Sequence, residues 1–545
     1  MSAWICVALW REVLFYILEA VISLSEDIHH ECGVAALYWL DEPVGPKGAV
    51  SKIAAGEVAK FMPTMLLNLQ NRGQLAAGLS SFDPARQQRI DTFKDLGGVA
   101  EAFRMSHPTK HAAIMREYAG KAAIGHTRYA TCGKDDARYA QPFERHHGRL
   151  WKWYSFAFNG NLANYVHLRE QLLSKRHYAL TLDTDTEILM HELSYRLRGD
   201  RLPSLRKVMA GMSRAFDGAY NIVFLDAMGR MFIARDPLGL RPMCWATQGK
   251  LFAAASESVA LHNLGFTEVH DLEPGQMAIV ENGKLRFERF AESRRKAHCF
   301  FEWIYFSNVA SEMDGSGVYI TRSRSGEKLA AMEDQEINGD CVVVPVPDTA
   351  KAAADAYAYR LGIPCVEGLM RNRHVGRTFI QSGSTRNSSV SNKYTPLPSV
   401  MAGKRVFLVE DSIVRSTTLR SLVDHIRKRG QAKEVHVRVA CPPIISPCFY
   451  GIDMSTLDEL FATKFLPKRY AGKPSKEMLA KMAKTLRLDS LKYLAVSDLG
   501  PCLGMKCENL CTGCVTGKYP SKWGNKLIAR ARQNKTGGKK GRTYE

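Results

Sequence analysis

The chain has 545 residues, which is long for a single hydrophobic core, so at least two domains are expected. A composition of 46% hydrophobic and 24% charged residues is typical of a globular protein rather than a disordered one. The net charge of +20 favours a polyanionic partner, which could be nucleic acid, a membrane surface or a phosphorylated small molecule. Thirteen cysteines without a secretory signal indicate a reducing, cytoplasmic setting, where clustered cysteines serve metal binding or catalysis.

Residues 1–31 precede the first predicted domain and are largely apolar. Arg11, Glu12 and Glu19 interrupt the apolar run before it is long enough to span a membrane. No basic segment precedes the run and no small-residue cleavage site follows it, so a signal peptide is not expected. The segment is interpreted as a removable leader or as an upstream start that is not used, and both interpretations stay open.

Residues 32–290 form the first predicted domain, with short strands, turns and intervening helices. Cys32 and Gly33 stand directly before the apolar residues 34–37, which are predicted to be a buried strand. Taken alone, several polar motifs of this region have ordinary structural explanations. Asn159 and Gly160 would form a hairpin turn, Arg128 an ion pair, and the sequence TDTE at 184–187 a helix cap.

Residues 291–460 form the second predicted domain, where the pattern changes to alternating strands and helices. Strands are predicted at 341–347, 405–409 and 434–440, with helices between them that end at Gly362 and Gly430. This alternation predicts a doubly wound parallel sheet that binds ligands at the carboxyl ends of its strands. Residues 461–545 are predicted to form a C-terminal segment with a helix around 476–493, a cysteine cluster and a basic tail. We interpret the tail as solvated and expect neither a nucleic-acid nor a membrane partner.

The sequence VFLVEDSIVRSTT contains the most specific chemical signal of the second domain. Its strand ends at Glu410 and Asp411, and Ser412, Ser416, Thr417 and Thr418 follow where a helix begins. Backbone N–H groups at a helix start, flanked by hydroxyls, suit a phosphate, and paired carboxylates suit ribose hydroxyls or Mg²⁺. The alternative is an acidic strand end followed by an ordinary Ser/Thr helix cap.

This stretch resembles the phosphoribosyl pyrophosphate loop of type I phosphoribosyltransferases. With VPVPDTAKAAADAYAYRLGIP, GLMRNRHVGRTFIQ and the motifs of the first domain, the chain resembles the amidophosphoribosyltransferase family from Cys32 to about residue 520. The resemblance implies an α/β multidomain protein, with a four-layer αββα N-terminal-nucleophile glutaminase domain before the transferase domain. It also implies that glutamine and phosphoribosyl pyrophosphate are the substrates, that purine nucleotides are inhibitors, that Mg²⁺ is a cofactor, and that the protein is a homo-oligomer, by analogy a tetramer.

The resemblance also implies a role for individual residues. Cys32 would be the nucleophile, activated by its own α-amine once it is the first residue of the mature chain. The expected glutamine-binding and oxyanion residues are Arg72, Gly73, Arg128, Asn159, Gly160 and Asp185. The residues expected to bind phosphoribosyl pyrophosphate are Asp348, Arg377, Glu410, Asp411, Ser412, Arg415, Ser416, Thr417 and Thr418. Those expected at Mg²⁺ are Thr349, Glu410 and Asp411.

Four cysteines lie within the sequence CLGMKCENLCTGC, at positions 502, 507, 511 and 514. Read locally, they could form a zinc site. The resemblance instead implies a 4Fe–4S cluster bound by Cys299, Cys448, Cys511 and Cys514, in which Cys502 and Cys507 take no part.

The transferase domain departs from the family pattern in several places. Ser416 replaces a glycine, and Thr349 replaces a serine. The loop SGSTRNSSVSNKYTPL lacks the arginine and asparagine expected near its end, and FSNVASEMDG lacks the usual arginine and proline. The predicted function is glutamine-dependent amidophosphoribosyl transfer, which opens purine synthesis. The alternative is a regulatory, purine-nucleotide-binding relative that retains a working glutaminase half.

Overall fold

In the computed structural model, the apolar run after Cys32 forms the central strand of a seven-stranded antiparallel sheet. The structure describes residues 32–46, 48, 54–129, 136–175, 178–182, 184–372, 393–452, 454, 456–467 and 470–536. From edge to edge, the strands of this first sheet are His270–Asp271, Cys244–Gln248, Leu251–Ala255, Gly33–Trp39, Ala122–Arg128, Ala76–Phe82 and Ile90–Leu96. Six of the seven residues of the central strand are buried, because other layers of the domain cover both faces of the sheet.

A second antiparallel sheet of six strands stacks on the first. Its strands in spatial order are Lys284–Arg289, Gln276–Glu281, Met231–Arg235, Gly218–Asp226, Tyr154–Leu162 and Phe143–Arg145. Side chains such as Val34, Ile124 and Val223 fill the space between the sheets. The first sheet is covered by the helices Met62–Asn68, Val99–Ala102, Pro108–Glu117 and Ser258–His262. The second sheet is covered by Tyr165–Lys175, Asp185–Arg196 and Leu205–Ala215, so the predicted four-layer αββα arrangement is confirmed.

The predicted parallel sheet of the second domain is also confirmed. Its strands are, in order, Cys341–Pro345, Arg405–Glu410, Glu434–Val439 and Ser490–Tyr493, all parallel. Their register places Val343 beside Phe407 and Phe407 beside His436. The helices Val318–Ala331 and Lys351–Leu361 pack on one face, and Ser416–Lys428 and Lys476–Leu486 lie on the other. As expected, Gly362 ends its helix in the left-handed conformation, with φ of 69°.

The helix predicted around 476–493 is shorter than expected. It ends at Leu486 because Arg487 adopts a left-handed conformation, with φ of 61°, that stops the helix. The chain then enters the strand Ser490–Tyr493, which pairs with Glu434–Val439. The predicted C-terminal segment therefore contributes one strand to the sheet of the second domain.

Among the described residues, the remaining elements are short, apart from one C-terminal helix. The α-helices are Pro398–Met401, Leu499–Leu503, Gly513–Thr516 and Lys522–Thr536, and Glu302–Phe306 is π-helical. Three two-stranded ladders pair His298–Cys299 with Leu510–Cys511, Glu312–Met313 with Ser316–Gly317, and Leu369–Arg371 with Tyr394–Pro396. The 3₁₀ helices are Val58–Phe61, Ala137–Tyr139, Leu150–Lys152, Ala462–Lys464, Val496–Asp498 and Cys507–Asn509. Within the described ranges, every helix is too short or too polar to cross a membrane.

Candidate active site

A cavity opens at the end of the central strand of the first sheet, where Cys32 lies. Cys32 is half-buried, and its thiol is 3.7 Å from the carbonyl oxygen of Tyr129. The backbone that follows is held tightly, since Gly33 N donates to Thr127 Oγ1 at 3.2 Å and Val34 N donates to Ser256 Oγ at 3.0 Å. The thiol is thus presented to the cavity from a rigid strand. The described lining residues are Cys32, Arg128, Tyr129, Tyr139, Gln141, Phe143, Phe158, Asn159, Gly160, Asn161, Thr184, Asp185, Thr186, Arg241 and Gly451.

Asn159 and Gly160 lie in the strand Tyr154–Leu162 of the second sheet, whereas Cys32 precedes a strand of the first sheet. The alternative of a hairpin turn is therefore wrong, because both residues pair with the neighbouring strand Gly218–Asp226. Gly160 has φ of +153°, and a Cβ there would lie 2.0 Å from the Ala219 carbonyl oxygen, so this position requires glycine. Asn159 Nδ2 donates to Ser256 Oγ at 3.4 Å, so Ser256 connects this strand to the one that follows Cys32.

Arg128 and Asp185 bring opposite charges to the same cavity. Arg128 ends the strand Ala122–Arg128, and its guanidinium lies 5.4 Å from the centre of the Tyr139 ring. Asp185 begins a helix that Thr184 caps, and its Oδ2 accepts from Leu162 N at 3.4 Å. Burial raises the pKa of the Asp185 carboxyl to about 6, so it is mostly ionised at neutral pH. A guanidinium and a carboxylate facing one cavity match the carboxylate and ammonium of an α-amino acid.

Arg72 and Gly73 are not among the residues that line the cavity; Gly73 instead packs against the backbone of Arg128, which does line it. A Cβ on Gly73 would lie 2.4 Å from the carbonyl carbon of Arg128, so the two segments touch backbone to backbone. Leu75 N also donates to the Arg128 carbonyl oxygen at 3.0 Å. The Arg72 side chain is fully buried and forms ion pairs of 2.6 Å with both Glu257 and Glu302. Arg72 is therefore enclosed by protein carboxylates rather than facing the cavity.

The second group of predicted residues meets at the carboxyl edge of the parallel sheet. Glu410 ends its strand, and the buried Asp411 follows. Ser412 Oγ donates to Asp411 Oδ1 at 2.6 Å, and Thr349 Oγ1 donates to the other oxygen of the same carboxylate. These hard oxygen donors suit Mg²⁺ or ribose hydroxyls.

The phosphate-loop residues continue into the helix Ser416–Lys428, which includes Ser416, Thr417 and Thr418. Two basic residues beside the edge are paired with acids. Arg415 Nη2 lies 3.3 Å from Glu459 Oε2, and Arg371 Nη1 lies 2.7 Å from Asp348 Oδ2. Arg377 lies outside the described residues.

The four cysteines predicted to bind a cluster come from three separate segments that meet. Cys299 and Cys511 are direct partners in a parallel ladder, and Cys514 lies in the next short helix. Cys448 is buried like the other three, each with 8–9% of its surface exposed. Burial, with a smaller contribution from the Cys448 thiol, raises the pKa of Cys511 to about 12. Such a group of buried thiols needs a cation to be stable as thiolates, which a cluster would provide.

The alternative zinc site from the four clustered cysteines is not supported. Cys507 is exposed, unlike the buried Cys511 and Cys514. Among the residues that the structure describes, no three His, Cys, Asp or Glu side chains are close enough to hold one metal ion. In a 4Fe–4S cluster each cysteine binds a different iron atom, so the cysteines need not lie close enough together to share one metal ion.

Sequence reasoning assigned no role to several residues that surround the cavity. Gln141 Oε1 accepts from Phe158 N at 2.8 Å and so helps to hold the strand that carries Asn159. Arg241 and Gly451 line the cavity although they are far apart in the chain.

Comparisons with known proteins match both halves of the chain. Residues 104–272 match the glutamine amidotransferase domain family, and residues 322–444 match the phosphoribosyl transferase domain family. The amidophosphoribosyltransferase of Methanothermobacter thermautotrophicus is 36% identical over 500 residues, which cover 91% of this chain and 96% of the relative. The Bacillus subtilis amidophosphoribosyltransferase is also 36% identical, over 509 residues that cover 92% and 96% of the two chains.

Solved structures give the same result. One described as the allosteric regulatory enzyme of purine biosynthesis has a TM-score of 0.76 at 33% identity, and the match covers 90% of this chain and 96% of that one. The glutamine phosphoribosylpyrophosphate amidotransferase of B. subtilis, complexed with ADP and GMP, has a TM-score of 0.74 at 33% identity. That match covers 90% of this chain and 98% of the B. subtilis chain.

Proposed function

The chain belongs to the amidophosphoribosyltransferase family and is thus a glutamine phosphoribosylpyrophosphate amidotransferase of purine biosynthesis, and on this premise we propose how its residues divide the work. The observation that carries the assignment is the cavity that combines the Cys32 thiol with Arg128, Asp185 and the Asn159–Gly160 strand. A nucleophile, two opposite charges for an α-amino acid and two oxyanion donors are the groups that amide hydrolysis of glutamine requires.

In the glutaminase half, the Cys32 sulfur attacks the side-chain amide carbon of glutamine. Arg128 binds the substrate carboxylate and Asp185 its α-ammonium, which orients the amide toward the thiol. Asn159 Nδ2 and the Gly160 N–H stabilise the negative oxygen of the tetrahedral intermediate. Ammonia leaves, and water then releases glutamate from the thioester on Cys32.

The base for this reaction is the α-amine of Cys32, which requires that the chain begin at this residue. An α-amine titrates near neutrality and is therefore a suitable acceptor for the thiol proton. Residues 1–31, which lie outside the described residues, would be absent from the active protein.

We therefore expect the mass of the active protein to correspond to a chain that begins at Cys32. Intact-mass spectrometry of the protein from its native source, together with a glutaminase assay of the same sample, tests this. If the active protein retains residues before Cys32, the α-amine is blocked by a peptide bond and another base must act.

In the transferase half, Glu410 and Asp411 bind the ribose hydroxyls of phosphoribosyl pyrophosphate. The N–H groups and hydroxyls at the start of the helix Ser416–Lys428, with Ser412 and Arg415, bind its 5′-phosphate. Asp348, Thr349 and Arg377 bind at the pyrophosphate end of this substrate. The oxygens of Thr349, Glu410 and Asp411 would hold Mg²⁺, which would neutralise negative charge on the departing pyrophosphate.

Ser416 is compatible with this assignment. It is the first residue of its helix and adopts ordinary helical geometry, which a side chain tolerates without strain. The purine nucleotides are proposed as inhibitors because the B. subtilis relative was solved with ADP and GMP. A homo-oligomer, by analogy a tetramer, is the proposed assembly.

The proposed 4Fe–4S cluster bound by Cys299, Cys448, Cys511 and Cys514 has a direct test. Anaerobically purified protein should be brown and contain about four irons per chain. Cys299→Ser and Cys511→Ser should lose the colour and much of the stability, because metal binding contributes to folding.

The matched controls are Cys502→Ser and Cys507→Ser, which change neighbouring cysteines outside the proposed ligand set. Both should keep the visible absorbance and the iron content. Colourless wild-type protein with one zinc per chain would contradict the cluster and support the local four-cysteine site.

A further inference from the structure

One segment of the transferase half, residues 448–451, reaches across and forms part of the glutamine cavity. It follows the strand Glu434–Val439 of the parallel sheet, and its last residue, Gly451, lines the cavity beside Gly160. A Cβ on Gly451 would lie 3.3 Å from the Gly160 carbonyl oxygen. The segment therefore lies directly against the strand that carries the proposed oxyanion donors.

Two side chains of the glutaminase half hold this segment in place. Asn161 Nδ2 donates to the Phe449 carbonyl oxygen at 3.0 Å. Arg241 Nη2 donates to the Tyr450 carbonyl oxygen at 2.5 Å, and Arg241 Nη1 lies 3.3 Å from Glu302 Oε1. Two consecutive carbonyl groups of segment 448–451 are thus bound by side chains of the glutaminase half. Together these hydrogen bonds fix the distance of the segment from the glutaminase half and its orientation.

Asn161 is the more informative of the two because of its place in the chain. It directly follows Gly160, so the hydrogen bond to Phe449 acts on the peptide that orients the Gly160 backbone. The strand is held on its other side by pairing with residues 218–226. A donor that binds the facing segment therefore adds a second restraint on the orientation of the oxyanion donors.

We propose that Asn161 is a positioning residue for the glutamine reaction, which aligns the oxyanion donors by binding the transferase segment 448–451. This inference rests on the proposed function, since it takes Asn159 and Gly160 to be the oxyanion donors. Glutamine hydrolysis then depends on a contact that only the assembled two-domain protein provides. Asn161 acts on the transition state through its neighbour and does not act on phosphoribosyl pyrophosphate.

Asn161→Asp tests the proposal, because it keeps the size of the side chain and removes its N–H donor. A carboxylate facing the Phe449 carbonyl repels it, so the strand and the segment should separate. We expect the glutamine-dependent kcat/KM to fall about 10- to 100-fold, mainly through kcat, as for a small displacement of catalytic groups. The ammonia-dependent rate and the iron content should stay at wild-type values.

Asn164→Asp is the matched control. Asn164 Nδ2 also donates to a carbonyl oxygen, that of Ala215 at 2.8 Å, but this bond lies within the glutaminase half. The glutamine kcat should stay within about threefold of wild type in this variant even if the melting temperature falls. Asn161→Ala, which introduces no charge, should shift the glutamine kcat in the same direction as Asn161→Asp and serves if that variant does not fold.

The proposal is wrong if Asn161→Asp and Asn161→Ala keep the wild-type glutamine kcat/KM, or lose no more than Asn164→Asp. It is also wrong if ammonia-dependent synthesis falls in parallel, because the effect would then be on the whole fold. Failure of the proposed function is a separate result, seen as glutamine turnover that survives the loss of the Cys32 thiol.

Discussion

Cys32→Ala is expected to abolish glutamine-dependent synthesis of phosphoribosylamine while synthesis from ammonia survives. Among the described residues that line the cavity, Cys32 is the one that carries a thiol. Its loss removes the atom that forms the thioester, so the glutamine-dependent rate should fall by at least about 10⁴-fold. The transferase half needs only an amine at C1, and alkaline pH with high ammonium provides free NH₃. Pyrophosphate release with either nitrogen source is the measurement.

Cys365→Ala is the matched control for this experiment. Cys365 is likewise a half-buried cysteine, but it lies in the transferase half, beside the first strand of the parallel sheet. It should therefore retain glutamine-dependent activity. Glutamine-dependent synthesis by Cys32→Ala at more than a small fraction of the wild-type rate would contradict the assignment of the nucleophile.

Asp411→Asn is expected to show the opposite pattern, losing synthesis from both nitrogen sources. The substitution keeps the shape of the side chain but removes the charge that Thr349 and Ser412 surround with hydrogen bonds. Without that charge, the ribose hydroxyls and Mg²⁺ are bound less well in the transition state. We expect kcat/KM for phosphoribosyl pyrophosphate to fall about 10²-fold or more, whether glutamine or ammonia supplies nitrogen.

Glutamine hydrolysis, measured as glutamate release, should persist in Asp411→Asn because the cavity around Cys32 is unchanged. Asp424→Asn is the control, since Asp424 lies on the helix Ser416–Lys428 and forms a 2.6 Å ion pair with Arg487 away from the strand ends. It should synthesise phosphoribosylamine normally. If ammonia restores synthesis to Asp411→Asn, this carboxylate does not belong to the transfer site.

The parts of the fold that depend on local pattern were predictable from the sequence. The run of valines at 342–344 and the helix that ends at Gly362 follow rules that involve neighbouring residues only. The buried face of the helix Ser416–Lys428, formed by Leu419, Leu422, Val423 and Ile426, is as its spacing predicts. The helix predicted around 476–493 was too long because Arg487 adopts a left-handed conformation that ends it. An arginine gives no indication of that conformation in the sequence.

The surroundings of Arg72 and Arg241 could not be predicted in the same way. Arg72 binds Glu257 and Glu302, which are 185 and 230 residues away in the chain. Arg241 binds the Tyr450 carbonyl at a separation of 209 residues. Periodicity and spacing along the sequence do not reveal contacts between such distant residues. A motif can therefore predict that Arg72 belongs to the site without showing that protein carboxylates already neutralise its charge.

The burial of Arg72 has a consequence for how the two halves can be recombined. Its partner Glu302 lies beyond the predicted boundary at residue 290 and belongs to the π-helical turn Glu302–Phe306. A glutaminase half cut at that boundary would keep Arg72 and Glu257 but lose Glu302, and breaking a buried ion pair costs about 3–5 kcal/mol. Arg322 then ties the same turn to the transferase half through the carbonyls of Trp303 and Ser307. A chimera that joins this glutaminase domain to another acceptor domain would therefore have to include residues 302–322.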